Sequence, residues 1–127
     1  MEQIFSKQNI LGLAFILLVD NSYLYLNQNF YKPIIDPKEN INITFAILSW
    51  IVIITGINLL VLSRPDLTND MSFVYGAYLG FIMYALWNTT NYALYPSKWN
   101  IIIATGDTLW GSLITGITAY MMYSYFR

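Results

Sequence analysis

Apolar residues in this chain fall in four long runs separated by short polar connections. The clearest is Ile43 to Leu62, twenty residues without one charged side chain. A hydrocarbon core about 30 Å thick is crossed by about 20 apolar residues in a helix. The first run, from about Gln8 to Leu26, is apolar to Val19 and then turns polar at Asp20-Asn21-Ser22. The third covers about Ser72 to Leu94 and the fourth about Trp99 to Phe126. Runs this long are unlike barrel strands, which leaves helices as the spanning structure. The expected fold is all-α: an integral membrane bundle of four transmembrane helices, one domain over residues 1–127, with both termini on the same side.

The connections carry helix-breaking signals. Asn27 to Asn42 contains Pro33, Pro37 and charges of both signs, and reads as a surface loop. Ser63-Arg64-Pro65-Asp66 stops the second run, because proline disfavours helix at the residue before it. Pro96 and Lys98 mark the third connection. The first run ends without a small-x-small cleavage pattern and reads as a retained span. Orientation stays open. Lys7, Arg64 and Arg127 fall on one side, Lys32, Lys38 and Lys98 on the other, so the positive-inside count ties.

Composition narrows the chemistry. The chain is 57% hydrophobic and 10% charged, against roughly 25% charged in soluble domains. A net charge of −1 gives no field that would attract nucleic acid; the bilayer is the expected partner. There is no Cys and no His. That removes thiolate nucleophiles, zinc sites built on those residues, histidine-ligated haem and histidine triads. No Lys lies inside a run, so a Schiff base is excluded there too. No metal site and no cofactor are expected. The 11 Tyr and 4 Trp suit the aromatic belts of a membrane protein.

Two carboxylates, Asp20 and Asp107, lie inside apolar runs, where a charge is expensive and by default marks a functional site. Asp20, Asn88 and Asp107 each fall six to eight residues from span ends on a common side. At 1.5 Å rise per residue they share a depth of about 9–12 Å beneath one surface. With Tyr84, Thr90, Asn91 and Trp110 nearby in sequence, they form a candidate polar pocket in one leaflet. The competing reading is hydrogen-bonded glue between helices, worth about 0.6–2 kcal/mol per contact. Gly76 and Gly80 form a G-x-x-x-G pair whose face continues to Tyr84 and Asn88. With Gly111 and Gly116 they are expected to pack helices closely within the bundle. The four tryptophans read first as interface anchors or core rings.

The same residues resemble the predicted membrane protein family called domain of unknown function 2177. The likeness lies in Asp20 with Tyr23-Leu24 and Phe30-Tyr31, then Gly56 and Pro65. It continues through Gly76-Ala77-Tyr78-Leu79-Gly80 and Tyr84-Ala85-Leu86-Trp87-Asn88-Thr89-Thr90-Asn91. Trp99 and Asp107-Thr108-Leu109-Trp110-Gly111 complete it. The resemblance implies Trp at position 23 and Asp at position 88, where this chain has Tyr23 and Asn88. An amide cannot carry a proton as a carboxylate can, which weighs against mechanisms needing three acids. The family name implies no activity.

Three roles follow from the residues. The preferred one is a pocket that binds a lipid or small hydrophobic molecule, or that assists a membrane partner. Ion, proton or small-solute transport is the second, and needs a homo-oligomer because four short helices make a thin pathway. The third is a structural subunit of a membrane complex. Catalysis, with Asp20 or Asp107 as general acid or base, is the less expected outcome without His, Cys or a metal set.

Overall fold

The computed structural model describes residues 6–32, 34 and 42–125. Half of the connection expected around Pro33, Pro37 and Lys38 lies outside the described residues, as do Phe126 and Arg127. Within the described residues the chain is helical: α1 (Lys7–Leu26), α2 (Gln28–Tyr31), α3 (Ile43–Gly56) continued by a π-helical stretch (Ile57–Leu62), α4 (Asn69–Leu94) and α5 (Ile101–Tyr125). The four long helices each start on a capping side chain. Ser6, Asn42, Thr68 and Asn100 accept from the backbone N–H of Asn9, Phe45, Met71 and Ile103. These caps satisfy amides that have no partner inside the helix.

Three of these helices are long and apolar enough to cross a membrane: Lys7–Leu26, Ile43–Leu62 and Ile101–Tyr125. The fourth expected span matches α4 in place and in length, at 26 residues. Its composition is more polar, because Ser72 and the run Asn88-Thr89-Thr90-Asn91 interrupt the apolar pattern. The connection after α1 also departs from a plain loop. It contains the short helix α2, whose Tyr31 is buried.

The helices pack antiparallel in sequence order. Asn58 on the π-helical stretch meets Asn9, while Trp50 meets Asp20 at the other end of α1. Gln8 bonds the Met122 carbonyl, while Asp20 meets Trp110, so α5 also runs opposite to α1. The closest pairing is α4 on α5. Gly76 faces Ala119, Gly80 faces Thr115 and the Gly111 carbonyl, Tyr84 faces Gly111, and Asn88 bonds Asp107. Steps of four along α4 match steps of four in reverse along α5. A Cβ at Gly76 would fall 2.6 Å from that of Ala119, so only glycine permits this approach. The apolar core comprises Ile16, Ile53, Ile54, Ile57, Val61, Ile114 and Met122. The outer faces stay apolar too, with Leu18, Phe45, Val52, Leu59, Tyr78, Ile82 and Leu109 all exposed. That exterior suits lipid as the solvent.

Candidate functional site

Both intramembrane acids are held by neutral donors. Asp20 accepts from two indoles: Trp50 Nε1 on one oxygen at 3.0 Å and Trp110 Nε1 on the other at 2.9 Å. These donors come from α3 and α5, so one carboxylate on α1 ties three helices. Asp107 accepts from the Tyr31 hydroxyl at 3.0 Å and from Asn88 Nδ2 at 2.8 Å. Asn88 donates also to the Tyr84 carbonyl and accepts from Trp99 Nε1 at 2.9 Å. Among the described residues neither acid meets a Lys or Arg. Lys32 bonds Asn29 at the surface and Lys98 is exposed.

The two acid centres are joined by aromatic rings. Tyr23 stacks on Trp110 with centroids 4.4 Å apart and planes 6° from parallel. Its hydroxyl adjoins that of Tyr31. The Tyr84 phenol lies within electrostatic reach of both carboxylates. Burial, reinforced by the Asp107 carboxylate, pushes the Tyr31 phenol well above the ordinary tyrosine range, so it remains a donor at any physiological pH. A recess of about 190 Å³ opens beside this network. It is lined by Tyr23, Asn27, Phe30, Tyr31, Ile102, Ile103 and Gly106.

The comparisons with known proteins bear on the whole chain. A family model described as predicted membrane protein (DUF2177) matches residues 6–124. The chain belongs to this family. No curated protein and no solved structure matches it. The protein is therefore an integral membrane protein of a family defined by sequence and not by activity. Six of the residues on which the likeness to DUF2177 was read, Asp20, Tyr31, Asn88, Trp99, Asp107 and Trp110, are joined by these hydrogen bonds. Asn88 has a particular consequence. It gives Asp107 a donor and Trp99 an acceptor at once; an Asp there, as the family pattern implies, could donate only when protonated.

The remaining expected site residues sit elsewhere. Thr90 is exposed, and Asn91 donates to the Trp87 carbonyl of its own helix at 2.8 Å. Neither joins the network. Gly76, Gly80, Gly111 and Gly116 lie along the α4–α5 seam. Four network members escaped the sequence reading as site residues: Trp50, Trp99, Tyr23 and Tyr31. Trp50 was within reach of the depth argument, since it sits seven residues into the second run. Trp99 and Tyr31 were visible only through the family likeness. Among the described residues no three acidic side chains gather as a metal set.

Proposed function

We propose that this chain is a four-span bundle, one domain with both termini on one side of the membrane. It binds a lipid headgroup or a small hydrophobic molecule in one leaflet, for its own purpose or for a membrane partner. The antiparallel pairings of α1, α3, α4 and α5 support the topology. At 1.5 Å per residue α4 is about 39 Å long, enough to span despite its polar residues. The binding reading rests chiefly on one observation. Asp20, Asn88 and Asp107 form hydrogen-bonded centres, and a recess lined by Tyr31, which bonds Asp107, and by the neighbouring Gly106 opens alongside. Each carboxylate oxygen takes one protein donor and keeps acceptor capacity for a ligand hydroxyl or amine.

Transport through a single copy has less support. The Asn9–Asn58 contact lies at the opposite end of the bundle, and buried Ile16, Ile54 and Ile114 separate it from Asp20. Native mass spectrometry of protein released from membranes in mild detergent tests the binding reading. The wild type is expected to retain a lipid or small molecule that Asp20→Asn and Asp107→Asn lose. A wild type that retains nothing and shows no lipid preference would defeat it. A flux in liposomes abolished by either substitution, with the fold intact, would favour transport.

A further inference from the structure

The short α2 helix is attached to the bundle in an unusual way. Tyr31 is its only buried residue; Phe30 beside it is 57% exposed. The Tyr31 ring packs with Trp99 and Ile103, flanked by Tyr23, Ile34 and Ala104. Its hydroxyl reaches Asp107, a residue 76 positions away on α5. The recess lies between this segment and α5. Asn27, Phe30 and Tyr31 line one wall, and Ile102, Ile103 and Gly106 the other. A Cβ built at Gly106 meets nothing within 4 Å, so that wall has free space beside it.

We infer that Asn27–Lys32 is a strap latched over the polar network by the Tyr31–Asp107 hydrogen bond, and that its release opens Asp107 to the membrane surface. One side chain makes the latch, so a local opening needs only that ring to leave. Low local stability of this kind is what a gating segment requires. The rest of the bundle keeps its contacts, because Asn88 and Trp99 hold their own bond. The strap is independent of what binds: it stands or falls on the exposure of the recess, with or without a retained ligand.

The chain has no cysteine, so a single introduced thiol reports on the recess. Ile103→Cys places the thiol beneath the strap, since Ile103 is buried against Tyr31 and lines the recess. Its reaction with a water-soluble methanethiosulfonate reagent is measured in the full chain in detergent micelles. Adding Tyr31→Phe removes one hydrogen bond and is expected to raise the labelling rate about five- to ten-fold. Hydrogen exchange is the second measurement, made on Tyr31→Phe. Faster exchange confined to residues 28–32 is expected. An unchanged labelling rate in Tyr31→Phe would overturn the strap. So would exchange that rises throughout the bundle, since the bond would then hold the fold and not a local segment.

Discussion

The α4–α5 seam and the α1–α3 seam solve the same problem by different means. Lipid offers helices no hydrophobic drive to associate, so they hold together by close packing or by polar contacts. Along α4–α5 the glycines bring backbone against backbone, and Ser112 donates to the Ala77 carbonyl across the gap. Along α1–α3 the bonds are placed at the two ends, Asn58 to Asn9 and Trp50 to Asp20. The first half of α3 is largely exposed, with Phe45, Ile47 and Leu48 facing outward. One seam is fixed by shape and the other by hydrogen bonds; Asp107 lies on the first and Asp20 on the second.

The sharpest way to break this contrast is a methyl group in the shape-fixed seam. Gly80→Ala directs a Cβ into the Gly111 carbonyl and the Thr115 side chain, and backbone atoms cannot rotate away. A loss of about 3 kcal/mol is expected from overpacking of this kind. Equilibrium unfolding in detergent measures it. A near-neutral result would show that the seam has slack and that close approach does not fix it.

Asn88→Ala comes next. It leaves Asp107 without its amide donor and Trp99 without its acceptor. A loss of about 2–3 kcal/mol is expected, since buried groups left unpaired carry their full desolvation cost. Trp110→Phe removes a donor from Asp20 and alters the stack on Tyr23, for about 2 kcal/mol. Trp50→Phe removes only the donor and should cost less, about 1–2 kcal/mol. If Trp50→Phe costs more than Trp110→Phe, Asp20 depends chiefly on the α1–α3 seam. The smallest effect is a gain. Gly106→Ala fills open space in a helix and should stabilise by about 0.5–1 kcal/mol in the same unfolding assay.

Much of this was legible in the residues. The apolar runs placed the long helices within a few residues of their observed ends. Counting from the span ends brought Asp20, Asn88 and Asp107 to one level, because helical rise is constant. The four-residue spacing of Gly76, Gly80, Tyr84 and Asn88 marked a face, and that face lies on α5. Other features were hidden for physical reasons. Rotation about a helix axis decides whether a polar residue looks inward, and depth carries no information on it. Thr90 is exposed, and Asn91 donates only to a carbonyl of its own helix. Indole donors are equally at home in an aromatic belt, so Trp99, and Trp50 despite its matching depth, read as anchors and not as partners of carboxylates and amides. Tyr31 lay in a stretch that prolines and charges marked as loop.

The most direct test of the binding claim is ligand-dependent stability at Asp107. Purified wild type and Asp107→Asn are melted in mild detergent, with and without lipids extracted from the host membrane. The account predicts that one lipid or small-molecule fraction raises the wild-type melting temperature and leaves folded Asp107→Asn unmoved. An equal rise in both proteins, or none in the wild type, would contradict it and leave the acids as packing elements of the bundle.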